Sequence, residues 1–386
     1  MALLIENARC VMTHRVTDKR SVVVEEGRIA RITAGEVSVA PGDTVLDLQG
    51  AYLVPGLIDV HVHGAMGGDF QDEGLPLEDM VGYFHRHGVT GVLATIIPQP
   101  VDVTVEVLRR LVRMFREDGW TDTIWGIHSE GPFLNTEMSG AARPENLAKP
   151  SVTAWEDMWG AADGMLKMIT VAPELEDAGS VIRAAHRAGT VVSAGHTNAS
   201  YEETVQAIED GLSSTTHLFN AMERLRHRDP GILLASLLRP EIIAQVNAEG
   251  GHVHPLVMGM VYELKGSDGI VLTSDIRSTA GLEETGEGRD ALDVREGTIV
   301  GSKAALDSSV RVMVREVGVP MPDAVQMASL NPAKLLGVDD RKGSIVANKD
   351  ADLAVMNDDL EVKMLIQGGE VVYDAEGIAQ GGDEES

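Results

Sequence analysis

With 386 residues, 44% of them hydrophobic, the chain can build one large domain and a smaller one, and a single cysteine, Cys10, excludes an internal disulfide framework. The excess of 60 acidic over 32 basic residues gives a formal net charge of -28, a surface that repels nucleic acid and anionic membranes and argues against both as partners. No apolar run reaches the roughly 18 to 20 residues of a membrane span, and the first residues lack a signal peptide's basic flank, so a reducing cytoplasm is the expected location.

Residues 1–54 alternate short β-rich runs with turns at Glu26-Gly27 and Pro41-Gly42. Residues 338–374 have the same texture, and the two ends together read as one small β-sandwich. Residues 55–337 repeat a strand-then-helix pattern. Eight strands are expected, at 56–62, 89–95, 124–128, 166–172, 190–194, 213–217, 242–248 and 269–274. Between them, Val105, Leu108, Leu111 and Val112 are spaced for one buried helix face, as are Leu306, Val310, Met313, Val314 and Val317. Eight such units predict an α/β fold, a (β/α)8 TIM-like barrel whose chemistry sits at the C-terminal strand ends. An open doubly wound sheet is the alternative, but the first unit lacks the Gly-rich phosphate fingerprint. Residues 375–386, rich in Gly and acids, read as a disordered tail.

The expected strand ends carry an unusual set of side chains. The first closes Asp59-Val60-His61-Val62-His63-Gly64, and two His two residues apart on a strand point the same way, which suits chelation. The third ends in His128-Ser129-Glu130 before a forced Gly131-Pro132 turn. The fifth delivers His196, the sixth His217 and the eighth Asp275. A single strand-end His is usually a hydrogen-bonded structural residue. Five His/Glu donors and an Asp at corresponding ends point instead to a catalytic metal site with an open position. Such an ion activates water and polarises a carbonyl. Asp275 is then the natural proton shuttle, with a further ligand or an orienter of a His as its bland alternative. An anionic substrate would need local positive groups to override the global field, and Arg224, Arg226, His227 and Arg228 provide such a cluster.

These residues resemble the amidohydrolase superfamily and, within it, the N-acetylglucosamine-6-phosphate deacetylase family. The resemblance spans nearly the whole chain. It rests on Pro55-Gly56-Leu57-Ile58-Asp59-Val60-His61-Val62-His63-Gly64, on His128-Ser129-Glu130-Gly131-Pro132-Phe133, on Gly195-His196-Thr197-Asn198-Ala199, and most specifically on Thr216-His217-Leu218-Phe219-Asn220-Ala221-Met222 with His227-Arg228-Asp229-Pro230-Gly231. It implies that Glu130, His196 and His217 hold the principal ion, zinc or ferrous iron. His61 and His63 are available for a second, and Asp275 is the general base and acid. It implies sugar-phosphate contacts from Asn220, Ala221, Arg228, Gly251 and His252, and from the segments Ala141-Ala142 and Ile299-Val300-Gly301. Arg suits a phosphate because its forked donors match the oxygens. A homodimer is also implied. Lys167 lies too early in its strand to be a carboxylated bridging ligand, and Glu130 stands in for it.

The implied reaction deacetylates N-acetylglucosamine 6-phosphate to glucosamine 6-phosphate and acetate. This chain departs from the family pattern where the sugar would be read. Ala142 stands where His or Gln is usual, Ser129 replaces Leu, Glu249 replaces Asp, and Arg277-Ser278 replace small apolar residues. Another phosphorylated N-acylhexosamine, such as N-acetylgalactosamine 6-phosphate, or another amide, is therefore the alternative substrate. A non-catalytic sugar-phosphate sensor is the alternative of a different class.

Overall fold

The computed structural model describes residues 2–35, 37–283, 286, 288–295 and 297–377. The nine C-terminal residues of the expected tail, 378–386, lie outside the described residues. Eight strands, β1 (Leu57–Val62), β2 (Val89–Ile96), β3 (Ile124–Glu130), β4 (Leu166–Val171), β5 (Val191–Ala194), β6 (Leu212–Thr215), β7 (Ile243–Asn247) and β8 (Ile270–Thr273), pair in sequence order. Every pairing is parallel. Helices α1 (Leu77–Arg86), α2 (Val101–Glu117), α3 (Val152–Ala161), α4 (Ala178–Arg187), α5 (Tyr201–Asp210), α6 (Gly231–Leu238) and α7 (Pro255–Lys265) follow β1 to β7 in turn, and α8 (Leu306–Val312) follows β8. This is the TIM-like barrel expected from the repeat.

Parallel strands need covered faces, and the helices supply the cover. Val105, Leu108, Leu111 and Val112 of α2 are all buried, as their 3.6-residue spacing requires. Leu306, Val310 and Met313 are buried too, although after Val312 the α8 turn widens into a π-helical segment, Met313–Val317. The start of α5 is set locally by a capping box between Ser200 and Glu203.

The barrel closes at its C-terminal mouth. Between β8 and β1 the backbone N–H of Asp275 donates to His61 (2.9 Å) and that of His63 to Ile276 (2.9 Å). At the opposite end Ile58, Val60, Leu93, Met168 and Val271 form an apolar floor. Side chains on a strand alternate faces, so two residues beyond Leu93, Met168 and Val271 the interior meets Thr95, Thr170 and Thr273, all buried. The interior thus turns from apolar to polar on approaching the mouth.

Both termini build a second sheet. The strand Leu3–Met12 pairs antiparallel with Arg15–Glu25 and parallel with Thr44–Asp47 and Tyr52–Pro55. Tyr52–Pro55 then pairs antiparallel with Leu353–Met356, which joins the C-terminal strands Val362–Gln367 and Glu370–Asp374. The two ends share one apolar cluster that includes Ile5, Val22, Leu46, Leu53, Leu353 and Ile366. Among the described residues no helix is long and apolar enough to cross a membrane.

Candidate metal centre and its cavity

The strand ends converge as two sets of three buried donors, His61, His63 and Asp275 in one and Glu130, His196 and His217 in the other. In the first set the two Nε2 atoms stand 3.1 Å apart, and Asp275 Oδ1 lies 3.5 Å from His61 Nε2 and 3.3 Å from His63 Nε2. In the second, Glu130 Oε1 is 3.1 Å from His196 Nε2 and 3.0 Å from His217 Nε2, with the two imidazoles 3.1 Å apart. Glu130 Oε2 faces His63 Nε2 at 3.4 Å, so one carboxylate spans both sets. Asp275 therefore sits with the first-strand imidazoles rather than within the Glu130 set.

These donors fit divalent cations. Ligand atoms around a tetrahedral ion with bonds of about 2.0–2.2 Å stand roughly 3.3–3.5 Å apart, close to the separations within each set. The tautomer of His196 supports the same reading. Its Nδ1 lies 3.0 Å from the Met138 carbonyl, an oxygen that can only accept, so Nδ1 carries the proton and Nε2 turns its lone pair toward the Glu130 carboxylate. A lone pair facing a carboxylate needs a proton or a cation between them.

The electrostatics express that need. Burial would raise the Glu130 carboxyl, yet the surrounding imidazoles of His61, His196, His217 and His63 hold it well below the usual carboxylate range. Asp275 is likewise held below that range against burial, by His61 and His63. Burial pushes His61 down to about 4, whereas His63, opposed by burial and by Arg277, is raised to about 9 through Asp275 and Glu130.

The backbone that aims these groups is strained. His196, His217 and Asp275 all adopt positive φ (50°, 32° and 55°), a conformation that costs a non-glycine residue on the order of 1–3 kcal/mol. Gly195 lets β5 end this way, because a Cβ there would come within 2.9 Å of both Thr170 and Thr216.

A cavity of about 710 Å³ opens over the donors. Of the expected sugar-phosphate residues, Ala141, Ala142, Asn220, Ala221, His252, Ile299, Val300 and Gly301 line it. Gly251 and Arg228 do not line it. Arg228 lines a separate hollow with Asn198, Tyr201, Glu223 and Arg226. Lys167, exposed as the second residue of β4, lines a hollow with Trp125 and Leu336 and takes no place among the donors.

Several neighbours of the centre were not among the expected site residues. Asn247, the last residue of β7, donates from Nδ2 to Asp275 Oδ2 (3.0 Å), and its position at a strand end was the available signal. The Asp59 Oδ1 accepts from the backbone of His61 (3.2 Å) and Ser274 (3.3 Å), and burial raises its carboxyl to about 7. His128 is hydrogen bonded to Thr95 (3.3 Å) and Thr170 (2.8 Å) and packs edge-on against His61. Arg143, Arg277 and Arg295 also line the cavity. Arg295 pairs with Asp293 (3.4 Å) and Arg277 with Asp69 (3.1 Å), while exposed Arg143 has no ion pair among the described residues.

Residues 52–372 match the amidohydrolase family. The chain is 30% identical to the N-acetylglucosamine-6-phosphate deacetylase of Bacillus subtilis, over 96% of this chain and 97% of that one. It is 30% identical to the N-acetylgalactosamine-6-phosphate deacetylase of Escherichia coli O157:H7, over 91% and 94%. The crystal structure of N-acetylglucosamine-6-phosphate deacetylase from Pasteurella multocida superposes with a TM-score of 0.88 at 29% identity, covering 96% of this chain and 99% of that one.

Proposed function

Since the chain belongs to the amidohydrolase family, among its N-acetylglucosamine-6-phosphate deacetylases, we propose that it hydrolyses the acetamide of N-acetylglucosamine 6-phosphate to glucosamine 6-phosphate and acetate. The observation that carries this reading is the convergence of Glu130, His196 and His217 with His61, His63 and Asp275 beneath one cavity, which all of them but His61 line. A divalent cation held by those donors supplies Lewis-acid polarisation of the amide carbonyl and the acidity that makes water a nucleophile near neutral pH.

The remaining work falls to the chain's own residues. Asp275 takes a proton from the attacking water and returns it to the departing nitrogen. Asn247 holds the far carboxylate oxygen, and the near one faces the His61 and His63 imidazoles. Two imidazoles and a carboxylate per set suit zinc, with ferrous iron as the alternative. In a chain of net charge -28, Arg143 at the cavity rim supplies uncompensated positive charge for the phosphate.

The test is acetate release from the metal-replete protein, run beside metal quantification. No acetate from any N-acetylhexosamine 6-phosphate overturns the reading. The Escherichia coli relative favours N-acetylgalactosamine 6-phosphate as a second substrate to run in parallel.

The active form we propose is a homodimer. Leu256, Met260 and Leu264 recur every four residues along α7 and are exposed, Leu256 by 81%, a stripe that suits a second copy of the chain. Arg228, outside the cavity of its own chain, would then be free to serve the partner's phosphate. Leu256→Glu should shift the sedimentation of the protein from dimer to monomer.

A further inference from the structure

We infer that Arg277 is a specificity-determining residue, donating a hydrogen bond from the cavity wall to an uncharged oxygen of the sugar. The inference deepens the deacetylase reading and rests on it. Arg277 follows Asp275 by two residues, and its backbone is pinned: its N–H donates to Ser302 (3.1 Å) and its carbonyl accepts from Ala280 (2.9 Å). The residue is 8% exposed and lines the cavity. One terminal nitrogen donates to Asp69 Oδ2 (3.1 Å) and the other to the Val300 carbonyl (3.3 Å). Gly301 makes room for the stem, because a Cβ there would stand 2.6 Å from Arg277 Cγ.

A guanidinium offers five N–H donors, and two hydrogen bonds leave most of them unused. Nε is buried and has no partner among the described residues. Buried donors are normally satisfied, so an under-satisfied guanidinium on the wall of a substrate cavity points to a ligand oxygen.

Charge decides which kind of oxygen. Asp69 lies 3.1 Å away and offsets much of the guanidinium's charge, leaving directional donors with a weakened field. That suits a sugar hydroxyl better than a phosphate, for which Arg143 keeps its full charge. A site built to bond a hydroxyl rejects an epimer that moves it, since the buried donors are then left unpaired. Arg277 would therefore set the choice between gluco and galacto configurations.

The experiment uses the full-length, metal-loaded protein with Arg277→Met and Arg277→Lys. Turnover is measured on N-acetylglucosamine 6-phosphate and N-acetylgalactosamine 6-phosphate, and binding of the two amino-sugar phosphates is measured by calorimetry. The Met variant should lose roughly tenfold or more in kcat/KM for the preferred epimer, mainly through KM. The preference between epimers should narrow, Lys should restore part of it, and metal content should stay unchanged. An equal decline for both epimers, or unaltered binding in the Met variant, overturns the assignment. If the wild-type protein hydrolyses neither substrate, the deacetylase reading fails. Calorimetry still decides on Arg277, by whether the epimer preference in binding changes.

Discussion

The backbone N–H of Asp275 donates to the carbonyl of His61 at 2.9 Å. The last barrel strand thus closes on the first through two residues whose side chains meet in the same donor set. Asp59 reinforces the seam by accepting from the backbones of both His61 and Ser274. Closure of the fold and the spacing of these two donors are one geometric event.

Replacing Asp275 with Asn should keep that seam, because the backbone bond is untouched. The amide cannot accept and return a proton, so kcat should fall by about 10²- to 10⁴-fold. Asn247→Leu removes the donor to Oδ2 and should lower kcat by a smaller factor, on the order of tenfold. Rates measured beside metal content separate proton transfer from loss of an ion. An Asp275→Asn enzyme at full speed would deny Asp275 the proton-shuttle role.

Glu130 faces both donor sets, whereas His61 and His63 belong to one. Glu130→Ala should lower the bound metal in both sets and His63→Ala chiefly in one, as read by elemental analysis of dialysed protein. Anything that binds only the folded state stabilises it by RT ln(1 + [L]/Kd). Added zinc should therefore raise Tm in the wild type and much less in Glu130→Ala. Equal stoichiometry in the two variants would show that the carboxylate does not span the sets.

The barrel was legible because β/α units advertise themselves through hydrophobic period and Gly-Pro punctuation, and because His196, His217 and Asp275 sit at strand ends that sequence position alone identifies. Partnership was not legible. Strand order around a closed barrel places Asp275 beside His61 although 214 positions of sequence separate them, and only the closed sheet reveals it. Arg228 shows the converse limit of nearness in sequence. It lies close in sequence to Asn220, yet the chain turns between them and carries it to another hollow. His128 was read as part of a motif without a role, because its bonds to Thr95 and Thr170 depend on the stagger of three strands.

Cys10 should be inert in the native protein. It is fully buried, and burial raises its thiol to about 11 against the ordinary 9, with the Thr17 hydrogen bond and Arg20 opposing only partly. The thiolate is the reactive form, so a disulfide reagent at pH 8 should react with the denatured chain and scarcely with the folded one. The sign for stability follows. Between about 9 and about 11 the unfolded chain binds fewer protons than the folded one, so this thiol's contribution is complete below pH 9 and is lost as pH rises through 11. Rapid labelling of the folded protein at pH 8 would contradict the burial.

Arg143 offers a test in which the sign of a salt effect carries the answer. Two fields act on an arriving phosphate: the repulsion of a surface with net charge -28, and the attraction of the exposed Arg143 guanidinium at the cavity rim, which has no ion pair among the described residues. Screening weakens both, since the Debye length shrinks from about 30 Å at 0.01 M salt to about 8 Å at 0.15 M. Removing the guanidinium deletes a charge-assisted contact, so Arg143→Ala should raise KM for the phosphorylated substrate by roughly 10-fold or more and leave the dephosphorylated sugar nearly unaffected. In that variant only the surface repulsion remains, so added salt should lower KM. In the wild type salt weakens the attraction as well, so KM should fall less or rise. Parallel salt responses in the two proteins would mean that the phosphate is held elsewhere, and Arg228 supplied by a partner chain would then be the residue to vary.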